Sequence, residues 1–332
     1  MATPPHASED GAPAVSVIVP AYNVAPWIEE TLRSILDQAG FDDFEVLVVD
    51  DRSQDDTAAI VQRLAGQDPR LRLLRNEGPQ GAAGARNHGL AQARGEWLAF
   101  LDGDDLWLPD NLRLKMEAAK AHPDAELISS DFINENRADR PLSHSEWPVW
   151  RQSLLPHWAS NVGLPPAPDE PALRLIADPL TCFLRDEVLG NTGTFVLKRA
   201  RVLALGGFDT SLEIGEDVYL WLQVARHCAH LLFVHQPLMY YRYHPGSLTN
   251  QGYPAHAFFA EKFYRMLRAS DDFSEYRSYI ERRIVYALTT QNIYFRKCGR
   301  HADAIRSSIN IIQIDTWRAS SWRICIASVL GQ

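Results

Sequence analysis

Residues 95–107 read GEWLAFLDGDDLW. The apolar run Glu96–Leu101 (EWLAFL) has the pattern of a strand buried on both faces, and it ends in Asp102-Gly103-Asp104-Asp105. Upstream, Val15–Pro20 (VSVIVP) and Phe44–Val49 (FEVLVV) are β-branched runs of the same kind, and Leu71–Leu74 is a shorter one. Helical spacing fills the gaps. Ile28, Leu32, Ile35 and Leu36 mark a helix over 26–38, and Ile60, Val61 and Leu64 mark the next, with Ser53 placed to cap it. Residues 81–93 form an Ala-rich helix, Pro109 opens another that runs to about residue 121, and Ala125–Ile133 is a fifth strand. Strands alternating with helices predict an α/β fold: a Rossmann-like, mostly parallel sheet with helices on both faces. In such sheets ligands lie beyond the carboxyl ends of the strands.

Those ends carry acids. The first strand ends in Pro20-Ala-Tyr22-Asn23 and lacks the G-x-G-x-x-G expected there of a dinucleotide binder. The second ends in Asp50-Asp51 and the fourth in Asp102, Asp104 and Asp105, so five carboxylates gather at one sheet edge. A single Asp is an ordinary turn or cap residue. Paired carboxylates after a buried strand repel one another unless a cation holds them, and their hard oxygens suit Mg²⁺ or Mn²⁺, which in turn bind phosphates. An Asp ending the second strand can accept hydrogen bonds from a base or ribose, and Tyr22 can stack on a base. The pattern points to a nucleoside diphosphate and a divalent ion.

The 332 residues are 46% hydrophobic and 23% charged, which excludes a disordered or fibrous chain. The net charge of −9 argues against a nucleic-acid partner. Cys182, Cys228, Cys298 and Cys325 form no C-x-x-C, so neither a zinc site nor a redox pair is expected, and a reducing compartment fits. No basic segment leads into an apolar run at the N-terminus, and no stretch approaches the ~20 apolar residues of a membrane span. The expected location is the cytoplasm, including the inner face of the membrane. Residues 1–13 read as a mobile tail, 14–138 as a nucleotide-binding half, and 139–250 as a second half with a loop-rich insertion over 139–190. Within the second half, Gly193–Lys198, a helix from Glu216 and the run Leu231–Tyr243 restore periodic structure. Residues 251–332 read as a helical extension with Gly299 as a stop. Residues 296–332 hold six basic and two acidic side chains, with Trp317, Trp322 and the run ICIASVL. Two readings stay open for them: peripheral contact with an anionic membrane, or packing on the protein or on a second copy in a homodimer.

The motifs VSVIVPAYN (15–23), EVLVVDDRSQDDT (45–57), NEGPQGAAGARNHGL (76–90), GEWLAFLDGDDLW (95–107), GGFD (206–209), GED (215–217) and YRYHPGSLT (241–249) occur in this order. In them the chain resembles the family 2 glycosyltransferases, over roughly residues 14–250. The resemblance implies the A-type glycosyltransferase fold and sugar transfer from a nucleotide-sugar, UDP- or dTDP-linked, to a glycan or lipid-linked acceptor. By it Pro20, Tyr22 and Asp51 hold the nucleoside, Arg86 faces the donor and Asp102 touches ribose or a metal-bound water. Asp104 and His244 bind Mn²⁺ or Mg²⁺, and Asp217 is the general base of a transfer with inversion. Arg52 stands where the family usually has Gly. A nucleotidyltransferase would instead carry a Gly-rich basic loop at 20–23, and a non-catalytic binding module would have lost Glu216-Asp217.

Overall fold

The computed structural model describes residues 11–134, 173–186, 191–212, 214–242, 244 and 255–314. Of the expectations above, residues 1–10 of the tail, 139–172 and 187–190 of the insertion, 243 and 245–249 of the last motif and everything after 314, including Trp317, Trp322 and ICIASVL, lie outside the described residues. Contacts divide the chain into two units, Met1–Tyr243 and His244–Gln332.

The first unit opens with β1 (Val15–Ala21), α1 (Ile28–Leu36), β2 (Phe44–Asp50), α2 (Thr57–Ala65), β3 (Leu71–Arg75), α3 (Ala82–Gln92) and β4 (Trp97–Phe100). β3, β2, β1 and β4 are neighbours in that order and parallel throughout. Helices cover the sheet as the sequence requires. α1 buries Ile28, Leu32 and Ile35 while Glu29 and Arg33 pair outside; each such burial contributes about 1.5–3 kcal/mol. α3 presses on β1 and β2 through Gly89, where a Cβ would meet Ile18 Cγ2 at 2.6 Å.

The chain then crosses to the other half of the sheet. β5 (Leu106–Trp107), α4 (Asn111–Ala121), β6 (Leu127–Asn134), β7 (Leu173–Ile176), α5 (Pro179–Asp186), β8 (Val196–Lys198), α6 (Arg199–Ala204), α7 (Glu216–His227) and β9 (Leu231–Tyr241) follow. The full order is β3-β2-β1-β4-β8-β6-β9-β5, with β7 also paired to β9. β8 is antiparallel to β4 and β6, and β6 is parallel to β9. Phe100, Phe195, Phe208 and Trp221 form an aromatic cluster beneath α7, with Phe195 and Trp221 stacked at 4.8 Å. Trp97, Trp107 and Trp221 are all core residues.

One expected cap is corrected. α2 starts at Thr57 after Asp56, not at Ser53. Ser53 Oγ instead accepts the Asn23 N–H at 3.0 Å, and the Ser53 N–H donates to Asp50 Oδ1. The hydroxyl ties the loop after β1 to the turn after β2.

The second unit contains α8 (Ala255–Ala269), α9 (Arg277–Lys297) and α10 (His301–Ile314). Gln291 Nε2 donates to Ala257 O and Glu261 Oε2, and Asn292 Nδ2 to Ala304 O and Ser308 Oγ, so α9 is pinned on both sides. Gly299 has φ +70°, the left-handed stop expected. Among the described residues no helix is long and apolar enough to cross a membrane.

Candidate active site

Parallel strands deliver their C-terminal residues to one edge. β1 delivers Pro20, with Tyr22 in the loop beyond, 49% exposed and available for stacking. β2 delivers Asp50 and Asp51, which part company. Asp50 holds the Ser53 turn. Asp51 is 4% exposed; its Oδ1 accepts Asn76 Nδ2 at 2.6 Å and its Oδ2 accepts the Gly81 N–H at 2.8 Å. A carboxylate has about four lone-pair sites, so these bonds orient Asp51 and leave acceptor capacity. Arg52 lies at φ +69°, which is why a glycine suits that position, and its Nη2 donates to Gly78 O at 2.8 Å.

Arg86 is the electrostatic centre. It projects from α3, is 3% exposed, and donates through Nη2 to Asp102 Oδ1 at 2.6 Å and through Nη1 to Glu216 Oε1 at 2.7 Å. Its guanidinium lies 5.4 Å over the Phe208 ring. Burial works against its charge, but Asp102 and Glu216 outweigh this and hold the proton more firmly than usual. Burial pushes the Glu216 carboxyl above the usual carboxylate range, aided by Asp217 and opposed by Arg86. Arg86 thus joins the acid after β4 to the start of α7, and does not stand open to solvent.

Asp102 keeps a third of its side chain exposed. Asp105 belongs to the frame. It is buried, its Oδ1 accepts the Arg242 N–H at 2.9 Å, and burial together with Asp104 and Asp102 holds its carboxyl well above the usual range. Of the five carboxylates of the sheet edge, Asp50 and Asp105 therefore hold backbone amides of the frame, while Asp102 keeps exposed surface. Asp217, the second residue of α7, accepts Thr192 Oγ1–H at Oδ2 (2.6 Å) and the Val218 N–H at Oδ1 (2.7 Å). His244 is the first residue of the second unit.

Asn76, Thr192 and Glu216 complete the arrangement and were not among the predicted site residues. Asn76 had a signal, a polar residue directly after a strand. Thr192 had none, since its partner is 25 positions away.

The profile of glycosyl transferase family 2 matches residues 16–167, from β1 through the D-x-D acids. Residues 16–167 of this chain form a domain of that family. ExoO, a succinoglycan biosynthesis protein of Rhizobium meliloti, is 34% identical over 238 residues, 71% of this chain and 62% of ExoO. WfgD of Escherichia coli, a UDP-Glc:alpha-D-GlcNAc-diphosphoundecaprenol beta-1,3-glucosyltransferase, is 43% identical over 102 residues, 31% of this chain and 39% of WfgD. The matches thus span less than two thirds of either relative. Among solved structures, S. aureus TarS 1–349 in complex with UDP-GlcNAc superposes with TM-score 0.62 at 19% identity, covering 95% of this chain and 88% of TarS. The mannosyltransferase PcManGT of Pyrobaculum calidifontis, in complex with GDP-Man and Mn²⁺, gives TM-score 0.56 at 23% identity, covering 96% and 86%. These likenesses establish the A-type glycosyltransferase fold: a mixed α/β sheet flanked by helices.

Among the described residues, no three His, Cys, Asp or Glu side chains converge to hold a metal ion by themselves. The donor chemistry fits a cation that arrives with its phosphates. Mg²⁺-type sites take one or two carboxylates plus substrate phosphate oxygens and water, and Asp102 and Asp104 flank Gly103 at the strand end.

Proposed function

We propose that this chain transfers a sugar, with inversion, from a nucleoside-diphosphate sugar to a hydroxyl of a glycan or lipid-linked glycan. The observation that supports this best is the Asp102–Arg86–Glu216 bridge, which ties the acid after β4 to the helix start that bears Asp217. A binding module needs the first of these; a transferase needs both. The UDP-containing complex of TarS and the UDP-Glc donor of WfgD favour a UDP-sugar here. The diphosphoundecaprenol acceptor of WfgD favours a lipid-linked acceptor, which would bring this protein to a membrane surface.

In this reading Tyr22 stacks on the base, Asp51 accepts a hydrogen bond from it, and Pro20 helps to hold the nucleoside. Asp104, with Asp102 beside it, would hold Mn²⁺ or Mg²⁺. When bound, such an ion neutralises charge on the departing diphosphate. Asp217 takes the proton as the acceptor O–H bond breaks. The freed oxygen pair forms the new bond to the anomeric carbon, and the bond from that carbon to the phosphate oxygen breaks with its electrons on the nucleoside diphosphate. One base opposite one leaving group gives inversion.

Asp217→Asn keeps the shape and removes the basicity. Calorimetry with UDP-sugars and Mn²⁺ should show donor affinity retained, while release of UDP falls ~100-fold or more. Turnover near the wild-type rate would refute the assignment of Asp217.

A further inference from the structure

The base assigned above is held by a side chain that lies outside the motifs, and its support is built into the core. Thr192 opens a 3₁₀ turn, Thr192–Thr194, between α5 and β8. The turn is fixed from several directions. Asn191 Oδ1 accepts the Gly193 N–H, and the Thr194 N–H and Oγ1–H both donate to Asn191 O. Trp107 Nε1–H, from β5 just after the D-x-D acids, donates to Gly193 O at 2.8 Å. Gly193 has no room for a side chain: a Cβ would come within 2.8 Å of Met239 Sδ and 2.9 Å of Leu101 Cδ1. Thr192 itself is buried, so its hydroxyl has no bulk water to compete for it.

We infer that Thr192 is a positioning residue for Asp217, its hydroxyl fixing the carboxylate in the orientation from which it accepts the acceptor's proton. The inference rests on Asp217 being the base. A hydroxyl that donates at 2.6 Å to one carboxylate oxygen is a short, charge-assisted bond. It sets the carboxylate plane and leaves the remaining lone pairs for the incoming O–H. The charged groups facing Asp217 are Arg86, from α3, and Glu216, from its own helix. Arg86 is engaged with Glu216 and Asp102 at its two terminal nitrogens. The Thr192 contact is therefore an independent handle on the base, and it is anchored to the D-x-D loop through Trp107.

The experiment compares Thr192→Val, which keeps the shape without the hydroxyl, with Thr192→Ser, which keeps the hydroxyl without the methyl. UDP release from UDP-glucose and UDP-GlcNAc should fall roughly tenfold in Thr192→Val with UDP affinity unchanged, and in Thr192→Ser it should stay near the wild-type rate. Undiminished UDP release in Thr192→Val, or an equal loss in Thr192→Ser, overturns the inference. Asp217→Asn separates the two ideas. Undiminished UDP release by that variant defeats the base assignment, whereas its loss beside undiminished release in Thr192→Val defeats the positioning of Thr192 alone.

Discussion

Replacing Arg86 with Met should cost far more than the loss of a surface ion pair. The guanidinium occupies a buried position between Asp102, a third exposed, and Glu216, nearly enclosed. Met fills much of the volume but leaves Glu216 beside Asp217 with no cation. Removing one member of a buried pair typically costs ~3–5 kcal/mol. Glu216 can relieve part of this by binding a proton, because burial already pushes its carboxyl upward. Asp102 can turn to water. The expected loss near neutral pH therefore lies at the lower end, ~3 kcal/mol. The pH dependence follows from the same proton. In the variant, Glu216 has a folded-state pKa further above its unfolded one. Such a group contributes stability that is fully present below the unfolded value and lost as pH rises through the folded value. The deficit of Arg86→Met should thus be smaller at about pH 5 than at about pH 8, and adding Glu216→Gln should recover more than half of it. Urea unfolding of the three proteins at both pH values, followed by intrinsic fluorescence, measures this. A loss no larger than the ~1 kcal/mol of exposed pairs, or an equal loss at both pH values, would refute the reasoning.

Asp104→Asn should lower the affinity for UDP in Mn²⁺ at least tenfold while leaving the weaker metal-free affinity in place. Calorimetry with and without Mn²⁺ checks it, and an unchanged Mn²⁺-dependent gain would remove Asp104 from the metal site. Lys115, on the inner face of α4, is fully buried, and among the described residues its Nζ finds no hydrogen-bond partner. Burial holds its ammonium well below the usual lysine range. A depressed folded-state pKa means that wild-type stability rises with pH from that value to the unfolded one near 10.5. Lys115→Met should raise the urea midpoint near pH 7 and flatten this rise; a lowered midpoint would show that the ammonium is satisfied.

The strands from β1 to β4 were legible because each is a short, mostly apolar run ended by a turn or an acid, and local sequence alone carries that signal. The starts of α7 and the stop at Gly299 were legible for the same reason. β5 was not: two residues, Leu106 and Trp107, carry no period, and only their pairing with Tyr240 and Met239 makes them a strand. Nor was the Ser53 contact, since a hydroxyl four residues before a helix reads as a cap when its true partner, the Asn23 amide, is 30 positions away. The site divides along the same line. Acids at strand ends are visible as a pattern. The bonds that orient them, Asp51 to Asn76 and Asp105 to the Arg242 amide, depend on loops meeting in space.

β9 has a consequence for how the molecule is made. Its eleven residues pair with β5, β6 and β7. The parallel group from β1 to β4 spans only residues 15–100 and can assemble as soon as that stretch has left the ribosome. β6 and β7 then wait with open edges for a strand that begins at Leu231. During synthesis the half-sheet that carries Asp51, Arg86 and Asp102 exists before the half that carries Asp217 is closed, and unpaired edges are where nascent chains aggregate. A chain cut before Leu231 should keep the sheet of β1 to β4 and aggregate through the open edges of β6 and β7.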